Sequence, residues 1–206
     1  MRSFPKHLQK QFKIFKKLNA PAKIQNFLDT LPINFEKDSD TCASPLTVLR
    51  TNQAHCIEGA MLAAAALWYH GKKPLLLDLK TIKDDSDHVV TLFKKHGFWG
   101  AMSKTNHAVL RYRDPVYKSV RELAMSYFHE YFLDNGKKTL RSFSAPFSLL
   151  AFDDEWLTSP ENLWGIAEGL DDSPHVPIFF KDTAPTLRPA HPLEIQAGKL
   201  VEYEER

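Results

Sequence analysis

Glycine, cysteine and long apolar runs are all scarce in this sequence. Only 8 glycines occur in 206 residues. None of them forms a GxGxxG or P-loop arrangement, which excludes phosphate cradles of those two kinds. The two cysteines, Cys42 and Cys56, are too few for a disulfide scaffold and make no CxxC pair for zinc. One bridge between them is possible on paper; two thiols in a reducing cytoplasm is the simpler expectation. The longest apolar run, Ala60 to Tyr69, is about half of what a bilayer span needs. The opening stretch MRSFPKHLQKQFKIFKKL has no continuous apolar segment and does not read as a signal peptide. Net charge is only +2, so the global basic field of a nucleic-acid binder is missing. Asp84, Asp85 and Asp87 share a loop but lack the spacing, Gly and Glu of an EF-hand. His55, His96 and His107 lack metal-ligand spacing. The expectation is a soluble cytoplasmic protein with no metal, no organic cofactor, no nucleic-acid partner and no transmembrane segment.

What the chain does have is core material: 43% hydrophobic and 12% aromatic residues, with 13 prolines as punctuation. That rules out disorder throughout and suits a single domain over residues 1–206. Charge is unevenly placed. Arg2, Lys6, Lys10, Lys13, Lys16 and Lys17 stand in the first eighteen residues with no acid, leaving the remainder net acidic. Phe4, Leu8, Phe12, Phe15 and Leu18 recur at steps of four, four, three and three, which predicts an amphipathic basic helix over 1–20. Its simplest reading is a helix docked on the core with a solvated basic back; binding to a membrane surface is the sharper one.

Ile24, Phe27, Leu28 and Leu31 give a second helix, stopped by Pro32. Ser44-Pro45 opens a short helical turn through Arg50. Ala54 to Tyr69, rich in Ala, Leu and Met and followed by Gly71, is the strongest helix. Strands are expected at 75–79, 88–93, 98–102 and 108–113, with a hairpin turn at Lys94-Lys95-His96-Gly97. A helix is expected over about 116–133, another over about 160–170, and a Pro-rich tail over about 171–206. Helices before strands indicate an α+β fold, a helical N-terminal part packed on an antiparallel sheet.

Cys56 lies near the start of the Ala-rich helix. A helix N-terminus carries roughly half a positive charge and unpaired N–H groups, both of which favour a thiolate. Against this stands the commoner fate of a free cysteine, inert and buried. His88 follows the polar loop 83–87 and starts a strand, where a base for the thiol would be held. Centring the hairpin turn between Lys95 and His96 sets Ser103 opposite His88, as a hydroxyl that can orient the imidazole; Asn106 is the alternative, as an amide. Asp87 would point to the opposite face of the strand. Gln53, three residues before Cys56, is a candidate oxyanion donor or a solvated neighbour of the helix start. Glu58 reads as a helix-start stabiliser.

Together these features resemble the transglutaminase-like superfamily of papain-like thiol enzymes. Ala54-His55-Cys56-Ile57-Glu58-Gly59-Ala60 is similar to its cysteine motif, and Asp87-His88-Val89-Val90 to its histidine strand. Phe98-Trp99-Gly100-Ala101-Met102-Ser103 resembles its third motif, a Trp followed four residues later by Asp, with Ser103 where that Asp is expected. The resemblance implies a transglutaminase-like core in which Cys56 is the nucleophile and His88 the general base. Ser103 or Asn106 would orient His88. It implies attack on an amide or ester carbonyl of a peptide or small substrate, through a thioester. Water as acceptor gives a peptidase or amidase; an amine gives acyl transfer. Two alternatives remain: a catalytically degenerate binding module of the same fold, or a membrane-surface adaptor working through the basic N-terminal helix.

Overall fold

The computed structural model describes residues 2–204; Met1, Glu205 and Arg206 lie outside it. Six α-helices and seven strands are defined among the described residues. In chain order they run α1 (Pro21–Thr30), α2 (Pro45–Thr51), α3 (Cys56–Tyr69), β1 (Leu75–Lys80), β2 (His88–Lys95), β3 (Phe98–Met102) and β4 (Arg113–Tyr117). Then come α4 (Val120–Met125), β5 (Ser142–Ser144), β6 (Phe147–Ser148), α5 (Trp164–Asp171), β7 (His175–Pro177) and α6 (Pro192–Gly198). The strands form one sheet in the order β4-β3-β2-β1-β5-β7, with β6 also pairing β1, and every pairing is antiparallel. The expected α+β class is what the structure shows.

Helix α3 is the centre. Every residue from Ile57 to Trp68 is buried, and apart from Glu58 this stretch is apolar all round, with no side facing water. The alanines at 63–66 let neighbours approach closely, and Thr91 Oγ1 on β2 donates to the Ala60 carbonyl at 2.6 Å. Leu76, Val89 and Phe93 face this helical layer, while Leu77, Leu79, Val90 and Leu92 alternate into a second apolar layer with Leu123 and Tyr127. A sheet buried on both faces explains why β1 and β2 read as apolar runs rather than as clean alternation.

Three expectations need correction. The N-terminal stretch is not one helix but two short 3-10 turns, Lys6–Leu8 and Lys13–Lys16, although all five apolar residues of the stripe are buried. Phe12 stacks on Phe15 with centroids 5.0 Å apart, Phe4 meets Trp68 edge-on at 5.5 Å, and the Trp68 indole donates to the Arg2 carbonyl. The helix expected over 116–133 is cut to α4 and a 3-10 turn, because Arg113–Tyr117 pairs with β3 instead, and 108–112 is loop rather than strand. The hairpin turn is His96-Gly97, both at positive φ (50° and 89°), so Lys95 pairs Phe98 and the register sits two residues from the expected one. A two-residue displacement keeps the same side chains on the same face.

Because the aromatic face of residues 4–18 is core, Phe12→Ala or Phe15→Ala should cost about 3–5 kcal/mol in urea unfolding. Deleting residues 2–18 should abolish a cooperative transition. An unchanged midpoint in either point variant would show that the arm is dispensable.

Candidate active site

The start of α3 is pinned from outside. The Ala54 N–H donates to the Pro32 carbonyl and the Asn34 N–H to the Ala54 carbonyl, each at 3.1 Å. This short parallel bridge carries His55 into the N-cap position and Cys56 into the first helical turn. Cys56 is partly exposed and opens on a cavity of about 620 Å³ whose walls include His88, Lys104, Asn106, Glu36 and Tyr131.

His88 and Ser103, separate in sequence, are brought together here. His88 Nε2 lies 2.7 Å from Ser103 Oγ. The Ser103 hydroxyl gives its only hydrogen to the Leu110 carbonyl at 2.5 Å, so it accepts from His88. That pattern assigns the proton to Nε2 and leaves Nδ1 unprotonated, on the wall of the cavity that Cys56 shares. Ser103 reaches this place because the β2–β3 ladder ends at Thr91 and Met102. Beyond it the Ser103 peptide turns to α1: its N–H donates to Gln25 Oε1 at 2.9 Å, and its carbonyl accepts from Gln25 Nε2 at 2.8 Å.

The other candidates lie elsewhere. Asn106 does not touch His88; its amide pairs both ways with the Tyr203 peptide, at 2.9 Å each. Asp87 accepts from the Thr81 N–H and hydroxyl. Gln53 is exposed, 3.5 Å from Asn34 Oδ1, and is no part of the cavity wall. The carboxylates of Asp78, Asp87 and Asp171 gather within 4.8 Å of one another, yet each already has a protein partner, in His175, Thr81 and Lys80.

Sequence reasoning missed the other side of the sulfur. His55 Nδ1 is 4.0 Å from Cys56 Sγ, and His55 Nε2 is 2.9 Å from the Thr41 carbonyl. Glu36 Oε1 and Glu58 Oε1 each stand 3.5 Å from that same Nε2. Glu58 is only 1% exposed. Its oxygens accept from the Thr41 hydroxyl and Ala43 N–H at 2.9 Å each, the His55 N–H at 3.1 Å and the Asn34 amide at 3.2 Å. Burial opposes its charge, but these partners, His55 first, hold the carboxyl down at about 2. The signal available in the sequence was the His55-x-x-Glu58 spacing of a capping box.

The two thiols are driven apart. Burial would raise Cys56, but hydrogen bonds to His55 and His88 and their charge bring it down to about 5. Cys42 is buried, donates to the Leu163 carbonyl at 3.6 Å, and is pushed up to about 12 by burial and then by the Glu58 charge. Two further polar groups face the cavity. Lys104 is buried against the Leu31 carbonyl at the end of α1 and lies 5.6 Å from the Tyr203 ring. Tyr131, 3% exposed, has a buried hydroxyl with no hydrogen-bond partner among the described residues.

No family model matches the chain, and no curated protein matches it either. No helix among the described residues is long and apolar enough to cross a membrane.

With His88 neutral, its ring nitrogens should report the Nε2–H form by ¹⁵N chemical shift. Ser103→Ala should mix the two tautomers, and Gln25→Leu, which frees the Ser103 peptide, should cost about 1–3 kcal/mol of stability. A pure Nδ1–H form in the native protein would overturn the assignment of Ser103 as orienter.

Proposed function

We propose that the protein is a cysteine-dependent enzyme of transglutaminase-like type that attacks an amide or ester carbonyl through a thioester. The observation that carries this reading is a partly exposed thiol at a helix N-terminus that shares a cavity wall with an imidazole whose Nε2 is fixed by Ser103. The pairing of a nucleophile, a base and an orienter is the arrangement covalent acyl transfer needs.

In the proposed reaction the Cys56 thiolate adds to the carbonyl carbon and the oxygen takes the electron pair. A proton from His88 goes to the leaving amine or alkoxide as the C–N or C–O bond breaks, leaving a thioester. Water, or an amine, then gives a proton to His88 and adds to the thioester carbonyl, and loss of the thiolate restores Cys56. The Cys56 N–H at the helix start supports the oxyanion, since the first N–H groups of a helix lack intrahelical partners. Tyr131 lines the same cavity, and we assign its buried hydroxyl, without a partner among the described residues, as a second donor.

Iodoacetamide at neutral pH, read by peptide mass spectrometry, tests the nucleophile. Cys56 should be alkylated far faster than Cys42, and Cys56→Ala should abolish hydrolysis of an activated ester such as p-nitrophenyl acetate while unfolding within about 1–2 kcal/mol of the native chain. Equal slow labelling of both cysteines, or no ester turnover, would favour a binding module of the same fold. Tyr131→Phe should lower ester turnover by about 10²-fold. Its thermal stability should not fall, because the hydroxyl it removes has no partner.

A further inference from the structure

Ser103 leaves the proposed site with a deficit. A carboxylate at that position would stabilise an imidazolium facing the thiolate, whereas a hydroxyl that gives its proton to Leu110 can only accept one neutral hydrogen bond. The negative charge that a triad needs is present in this molecule, but on the opposite side of the sulfur. His55 presents Nδ1 to Cys56 Sγ at 4.0 Å, and its Nε2 is held by the Thr41 carbonyl with Glu58 and Glu36 both at 3.5 Å. A carbonyl only accepts, so Nε2 keeps its proton and Nδ1 is the nitrogen that exchanges a proton with the thiol.

We propose that His55 is a second catalytic imidazole: backed by Glu58 and Glu36, it holds Cys56 as a thiolate, while His88 carries the proton between leaving group and acceptor. The proposal rests on the cysteine-enzyme reading above and divides its base function between two histidines. In the resting step, the Cys56 S–H bond breaks and its proton passes to His55 Nδ1, giving a thiolate–imidazolium pair with no change in net charge. The proton that His88 gives to the leaving group is taken up from solvent at Nδ1 before acylation, and the attacking water or amine restores it, so the cycle closes.

The burial of Glu58 supplies an argument that does not involve the sulfur. A carboxylate hidden from water is retained when it is compensated. Four neutral donors satisfy its oxygens, and among the described residues the side chain paired with it that can carry positive charge is His55. Both charges on either side of His55, the thiolate and the carboxylates, favour its cationic form and outweigh its own burial, lifting it to about 11. The groups that bear on the pair are therefore Glu58 on α3, Glu36 and Cys42 on the loop between α1 and α2, His88 on β2 and Tyr131 after α4.

The test is the pH dependence of Cys56 alkylation by iodoacetamide in the full chain, with Cys42→Ala as background. The native profile should turn on near pH 5. His55→Asn keeps a good N-cap but no charge, so the profile should move upward by at least one pH unit, with at least a tenfold loss of alkylation rate at pH 6. His88→Asn should keep an early onset of alkylation yet lose turnover of p-nitrophenyl acetate by at least 10²-fold. The native chain offers a readout independent of folding defects in the variants: ¹⁵N shifts of the His55 ring should show both nitrogens protonated at pH 8. An unchanged profile in His55→Asn, or a singly protonated His55 ring at pH 8, would overturn the proposal. Loss of the early onset in His88→Asn alone would assign thiolate formation to His88, ending the proposal but leaving the cysteine-enzyme reading intact. A native Cys56 that alkylates no earlier than an ordinary thiol would end both.

Discussion

A carboxylate at the buried start of α3 organises the rest of the site. Glu58 cannot be hidden from water unless its oxygens are filled, and the chain fills them from three places: the segment after α1 through Asn34, the loop before α2 through Thr41 and Ala43, and the helix N-cap through His55. Breaking up a buried, compensated charge costs on the order of 3–5 kcal/mol, more than a typical surface loop can gain by moving. The loop over residues 34–43 is thereby tied to the helix that carries the thiol, and Glu36 on that loop is both a cavity wall and a partner of His55. One ionic constraint sets the position of the Cys56 thiol, the wall beside it and the charge next to it.

The two sides of the sulfur are built on different physics. On the α3 side the contacts are ionic: carboxylates, an imidazole and a thiol with a lowered pKa. On the sheet side the groups that hold His88 are neutral: the Ser103 hydroxyl, the Leu110 carbonyl and the Gln25 amide that clamps the Ser103 peptide. Neutral hydrogen bonds fix orientation with little electrostatic bias, and charged ones bias protonation strongly. The basic N-terminal stretch belongs to neither side. Its apolar face is spent on Trp68 and Tyr69 at the far end of α3, so insertion of that face into a membrane would require undocking it from the core.

Where periodicity and local chemistry agreed, the sequence was sufficient. Strand β3 falls on residues 98–102 as read, α3 starts within two residues of its expected place, and Ser44 caps α2 ahead of Pro45. The failures share a cause, the override of local pattern by tertiary contacts. Residues 4–18 keep a helical apolar spacing but form 3-10 turns, because they wrap around the bulky end of α3. The 116–133 segment loses its first residues to an edge strand. At the site, Cys56, His88 and Ser103 were legible from residue type and element position. Ser103 meets His88 although the register is two residues from the expected one, because the chain leaves the ladder at Met102 to meet Gln25. His55, Gln25 and Tyr131 were not legible: their roles depend on partners at Thr41, Ser103 and the cavity, far away along the chain.

That remoteness has a consequence for how the molecule comes to work. The cavity is lined from Ile33 to Lys199, and behind its wall the Tyr203 peptide is locked to Asn106 just beyond Ser103. Contacts with such large sequence separation form late, after the entropy of closing long loops has been overcome. A chain emerging from the ribosome can build α3 and the β1–β2–β3 meander long before the last wall of the cavity exists. The Cys56 thiol is thus placed early and enclosed late. During that interval the local ionic cluster already favours the thiolate, before the finished fold limits what can reach it.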